Sequence, residues 1–175
     1  MDASAPWSRG HCARVARLAV AVAAELGWPA EEIAALRQAA ELHDVGKLCV
    51  GADVLGRRGP LGAEERAAVE MHPGLGAAML ASVLTPRQVA WVRHHHERWD
   101  GDGYPDGLAG EAIPAGACVI AVAEAWDAMR HGAASPPLDA GAAGREIRRA
   151  RGHQFAPWAA DGLLRVAPGI DAVTR

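Results

Sequence analysis

Metal chemistry is the first thing these side chains suggest. His43 and Asp44 stand side by side at the end of an apolar run, followed closely by Gly46 and Lys47. An imidazole next to a carboxylate suits a divalent first-row metal, and a carboxylate has two oxygens with which to bridge two ions. On a helix, residues three and four apart share a face, so His43, Asp44 and Lys47 can address one cavity. The lysine would put a positive charge where a phosphate oxygen could sit. Taken alone, the pair reads as a surface ion pair beside a solvated lysine.

Other candidate ligands are scattered along the chain. His72 precedes Pro73 at a helix break, where a capping histidine is the ordinary alternative. His94, His95 and His96 are consecutive, and at about 100° per residue they cannot all point one way. Two of them could serve different metals of a pair, or the run could be an adventitious metal site. His11 begins an apolar helical pattern and carries little signal by itself. Glu124 and Asp127 lie three apart inside an otherwise apolar run. A carboxylate there is costly unless it is paired, metal-bound or turned to solvent. The stretch 97–115 is rich in glycine and proline, and its Asp-Gly pairs demand tight turns. A loop of that length inside a compact domain is often functional.

Helices must position these residues. Val15, Leu18, Ala19, Val22 and Leu26 recur at helical spacing over 11–26, and Gly27 is a natural stop. Pro29 opens a second helix, with Glu31 and Glu32 in its first turn, expected to run to about Lys47. Further helices are expected over 64–71, 73–83, 86–96 and 119–129, with weaker ones over 145–151 and 157–166. The stretches 51–62 and 132–144 are expected as loops, the latter flexible. No stretch alternates with period two, so a sheet is not expected.

The composition bounds the rest. The 175 residues fit one domain, expected over 11–166 with tails at 1–10 and 167–175. Half of the chain is hydrophobic, and Phe and Tyr occur once each, so small side chains must pack helices closely. A net charge of -3 gives no basic field for a nucleic-acid polymer. Cys12, Cys49 and Cys118 form no CxxC pair and read as buried free thiols in a reducing cytosol. No stretch is long enough to insert in a membrane, so a cytoplasmic protein is expected.

Taken together, Leu42-His43-Asp44-Val45-Gly46-Lys47, His72 and the stretch from His95-His96-Glu97 to Gly103-Tyr104-Pro105 resemble the HD-GYP family. This is a branch of the HD-domain metal-dependent phosphohydrolases, associated with hydrolysis of cyclic di-GMP. The resemblance covers about 11–166 and implies an all-α, HD-domain-like bundle of six to eight helices with a long Gly-rich loop. It implies that His11, His43, Asp44, His72, His95, His96 and Glu124 bind two divalent metal ions, iron or manganese, with Asp44 bridging them. Asp44 and Lys47 would be catalytic, and Lys47, Gly103, Tyr104 and Arg130 would contact a cyclic dinucleotide. A metal-bridging hydroxide would attack phosphorus in line and leave a linear dinucleotide. Such domains are commonly outputs of larger signalling proteins, so a homodimer or a signalling partner is expected.

The chain also departs from the family pattern. Glu124 stands where the family usually has Asp. Trp7 occupies a position that in some members carries an acid binding a third metal, which favours two. The stretch 130–137 lacks the family's arginine and tyrosine, and Phe155-Ala156-Pro157 stands for Phe-Asp-Pro. A dianionic substrate would need a cation from elsewhere, with Arg130, Arg145 and Arg148 as candidates. The alternatives are an HD-type hydrolase acting on another phosphoester, or a signalling module without catalysis.

Overall fold

A computed structural model describes residues 10–57, 59–132 and 136–173, and the side chains of all but 168–173 among these. Trp7 and the expected N-terminal tail up to residue 9 lie outside the described residues.

Leu18 and Val22 of α1 (His11–Glu25) face the core together with Val15, and Gly27 ends the helix in a left-handed turn. Pro29 and the two first-turn acids begin α2 (Ala30–Leu42). That helix stops earlier than expected. His43 and Asp44 form a turn, and Val45–Cys49 winds as a tighter 3-10 helix. The reason lies in a backbone contact with α5 (His72–Leu80). Gly46 sits so close that a Cβ there would overlap the His72 carbonyl oxygen and approach Gly76 N to 2.6 Å. Only glycine permits that approach.

The expected loop at 51–62 contains the four-residue α3 (Ala52–Leu55), and α4 (Ala63–Glu70) is separated from α5 by Met71 alone. Thr85 opens α6 (Pro86–Arg93), and the Gln88 side chain accepts from Thr85 N at 3.0 Å. α6 ends one residue before the three histidines. The long segment to Pro114 contains only a 3-10 turn at Gly110–Ala112. α7 (Ala115–His131) begins earlier than expected. α8 (Ala140–Ala150) starts inside the stretch expected to be flexible, because Asp139 caps it by accepting from Ala142 N at 2.7 Å. α9 (Pro157–Val173) runs past the expected end at Val166.

Among the described residues there are eight helices of eight residues or more, besides α3, and no strands. The all-α expectation holds. α1 packs on α2, α7 and α9, and Leu36, Ile120, Ile147 and Leu163 are fully buried between these layers. Burying each such side chain contributes roughly 1.5–3 kcal/mol. The three thiols are free, but only Cys118 is buried; Cys49 is exposed. Among the described residues, no helix is long and apolar enough to cross a membrane.

Candidate metal centre

The last carbonyls of a helix have no partner within it. Three histidines here use those carbonyls. His43 Nδ1 lies 2.7 Å from Ala40 O at the end of α2. His72 Nδ1 lies 2.7 Å from Val69 O at the end of α4. His95 Nδ1 lies 2.6 Å from Val92 O at the end of α6. A carbonyl only accepts, so each Nδ1 carries a proton, and in the neutral ring the lone pair lies on Nε2. All three rings are fully buried, and the lone pairs converge. His72 Nε2 and His95 Nε2 stand 3.4 Å apart, two acceptors facing one another.

Asp44 sits among these rings. Its Oδ1 is 3.3 Å from His72 Nε2, and its Oδ2 is 3.7 Å from His43 Nε2 and 3.8 Å from His11 Nε2. Lys47 Nζ donates to Oδ2 at 2.7 Å. Burial alone would raise the Asp44 pKa, but His43, His72 and Lys47 overcome it and hold the carboxyl well below its usual range. Burial would likewise lower the Lys47 pKa; Asp44 and Glu124 reverse that and keep the ammonium charged. Burial, reinforced by His96 and His43, pushes His95 well below its ordinary value. Burial brings His96 down to about 4 against the opposing pull of Glu124. Buried neutral imidazoles beside ionised carboxylates are the protonation states that metal ligation requires.

Three groups of donor atoms, each within 4.8 Å of one another, could hold an ion: His72, His95 and His96; His43, Asp44, His95 and Glu124; and His94, Glu97 and Asp106. The first two share His95. His43 Nε2 and Asp44 Oδ1 are buried without a hydrogen bond. An orphaned lone pair and an orphaned carboxylate oxygen are costly. The Nε2 pair at 3.4 Å is a separation that metal–nitrogen bonds of about 2.1 Å can span. The residues therefore fit a divalent cation. His11 lies outside these groups and meets the cluster through Asp44.

Several other residues fall in places that sequence reasoning did not assign. Neither Glu124 nor Asp127 is turned out to solvent. Asp127 is 2 % exposed and accepts from His11 Nδ1 at 2.7 Å and from Arg14 Nε at 2.6 Å, and His131 Nδ1 stands 3.1 Å away. Its signal was its position, three residues after Glu124 in an apolar helix. His94 is the histidine of the triplet that turns aside, with Nδ1 on Ala90 O at 2.8 Å and Nε2 on Asp106 at 2.9 Å. Glu97 is buried and accepts from the backbone of Asp106 and Leu108, at 2.8 and 3.1 Å, so it holds the Gly-rich loop in place.

The three expected substrate contacts have partners within the fold. Tyr104 stacks on the His96 ring, with centroids 4.8 Å apart and planes 25° apart. Gly103 is pressed against Glu97 and Arg98, where a Cβ would overlap their backbone. Arg130 donates to the Leu138 carbonyl. None of the three lines either of the site's cavities, and neither do Arg145 and Arg148. The larger cavity, about 410 Å³, reaches from Asp44, Lys47 and Glu124 to Arg57 and Leu61 on the other side of α3. A smaller one of about 210 Å³ shares Glu124 and Ala128 with it and touches His96 and Arg98.

The family pattern described as HD domain matches residues 1–157. The chain is 38% identical over 159 residues to the cyclic di-GMP phosphodiesterase response regulator RpfG of Xanthomonas campestris pv. campestris, covering 87% of this chain and 41% of that protein. It is 35% identical over 130 residues to 3'3'-cGAMP-specific phosphodiesterase 1 of Vibrio cholerae, covering 74% and 30%. In structure it is similar to Bd1817, an HD-GYP-type protein from Bdellovibrio bacteriovorus, with a TM-score of 0.75 at 21% identity over 91% of this chain and 52% of the other. That likeness shows the fold. The chain spans less than half the length of the two relatives named.

Proposed function

Because the chain belongs to the HD domain family, we propose that it is the catalytic domain of a metal-dependent phosphodiesterase that opens cyclic di-GMP to a linear dinucleotide. The observation that carries this reading is the pair of orphaned buried donors, His43 Nε2 and Asp44 Oδ1, within a convergent set of imidazole lone pairs.

His43, Asp44, His72, His95, His96 and Glu124, with His11 beside Asp44, would hold two divalent ions, iron or manganese. Imidazole and carboxylate donors without thiolate suit either metal. Such ions lower the pKa of water so that a nucleophile exists near neutral pH, and they offset charge at phosphorus. The chain's own residues supply the rest. Asp44 presents one oxygen to His72 and the other to Lys47, which supports a bridging role. Lys47 lines the larger cavity with its ammonium and faces the phosphate oxygens as negative charge develops. Asp127 keeps His11 Nδ1 protonated and its Nε2 turned to the cluster. The apolar cavity wall of Val54, Leu55 and Leu61 shelters the ester and excludes water.

A second cyclic dinucleotide, 3'3'-cGAMP, is the alternative substrate, favoured by the likeness to the Vibrio cholerae enzyme specific for it and by the altered stretch after Met129. The test is direct. Purified protein is assayed for bound metal, reloaded with Mn²⁺, and incubated with each cyclic dinucleotide. Linear product from cyclic di-GMP supports the reading. Protein that binds no metal before or after reloading is a signalling module instead. Metal without any linear dinucleotide product points to another phosphoester.

A further inference from the structure

The cavity that reaches the metal cluster is lined by a further cation. Besides the apolar Val54, Leu55 and Leu61, the lining includes the guanidinium-bearing Arg57. Other basic side chains lining this space stand against buried acids: Lys47 with Asp44 at 2.7 Å, and His131 with Asp127 at 3.1 Å. Arg57 is held differently. Its partner is Glu65, whose other oxygen accepts from Gly62 N at 2.8 Å at the start of α4. Glu65 therefore keeps its place whether or not Arg57 stays with it. The Arg57 side chain is 52 % exposed, so this ion pair is wet and weak. The guanidinium can turn from the carboxylate to a phosphate and offer it two parallel N–H groups.

A cyclic dinucleotide carries two phosphodiesters with sugar and base surface between them. The cavity has the matching pattern: a metal-cluster end, an apolar wall and a second cation. Its volume of about 410 Å³ lies within the range of small-molecule sites. In the stretch after Met129, Arg130 donates to the Leu138 carbonyl and is not among the residues lining this cavity. We propose that Arg57 grips the non-scissile phosphate of a substrate with two phosphodiesters, and so selects cyclic dinucleotides over simple phosphodiesters. This rests on the hydrolase reading above.

The test uses the full chain loaded with Mn²⁺ and two probes, cyclic di-GMP and bis(p-nitrophenyl) phosphate, which has a single phosphodiester. Arg57→Ala is expected to raise KM for cyclic di-GMP by about ten-fold or more, the loss of one charge-assisted contact. Its kcat/KM should fall much further for cyclic di-GMP than for the small ester, and Arg57→Lys should recover part of the difference. Equal losses on both probes, or no loss on cyclic di-GMP, would overturn the assignment. If the unmodified protein cleaves the small ester but neither cyclic di-GMP nor 3'3'-cGAMP, the substrate reading fails and Arg57 fails with it. If it cleaves both and Arg57→Ala treats them alike, only the Arg57 proposal fails.

Discussion

Asp127 Oδ2 stands 2.7 Å from His11 Nδ1, while the ring's other nitrogen, Nε2, lies 3.8 Å from Asp44 Oδ2. One buried carboxylate thus sets the tautomer and direction of a ring that faces another. Asp127 also takes Arg14 Nε and Nη2, at 2.6 and 3.0 Å, so its two oxygens are fully used. Asp127→Asn would replace one of those acceptors with a donor. It is expected to weaken metal affinity or kcat by about 10–100-fold, as loss of an orienting partner does. Metal titration beside steady-state kinetics checks this, and unchanged values in both would remove Asp127 from the site.

Acid should destabilise the metal-free protein in a defined window. Burial depresses the His96 pKa to about 4. Between about 6.5 and 4 the unfolded chain takes up a proton there and the folded chain does not, so stability falls as pH drops through that range. His96 alone accounts for at most about 3 kcal/mol. Asp44, held low by His43, His72 and Lys47, adds a loss in the same direction at lower pH still. Denaturant melts of the metal-free protein at pH 7.5, 6 and 4.5 should show this decline. A flat profile would mean that His96 protonates freely in the fold.

Tyr104 separates two roles. If it serves by stacking on His96, Tyr104→Phe keeps the ring and should leave KM and metal affinity within about two-fold, since the stack lies in the ring faces. Tyr104→Ala should lose about 0.5–1.5 kcal/mol of packing and loosen His96. A Tyr104→Phe variant with a strongly raised KM would return the hydroxyl to substrate binding.

Gly46→Ala should be among the most damaging small substitutions. The added methyl would overlap the His72 carbonyl oxygen and force the 3-10 helix away from α5. The expected cost is about 1–3 kcal/mol or more. Because His72 and Asp44 lie on the two sides of that contact, metal binding should fall with it. A thermal melt and metal stoichiometry read the two effects, and a variant that matches the parent in both would contradict the close approach.

Much of the candidate site was legible only when its residues were read together. His43, Asp44, His72, His95 and His96 stand in a pattern whose spacing identifies the family, and the core stripe of α1 follows from helical periodicity. Other roles were hidden because they depend on contacts between distant segments. Asp127 reaches His11 across 116 residues of chain, and nothing local distinguishes a carboxylate paired in that way from one in water. Gly103, Tyr104 and Arg130 were matched by position alone, and their packing, stacking and backbone hydrogen bond are visible only in the fold.

The amino-acid sequence by itself determined the helical class, the family and the types of metal donors, because periodicity and side-chain chemistry are local properties. The tertiary structure decided which nitrogen of each imidazole is bare, since that follows from which carbonyl sits beside Nδ1. It also decided which of the three consecutive histidines turns away, and which arginine lines the cavity. Those outcomes depend on how helix ends meet in space, and chain spacing does not encode that meeting.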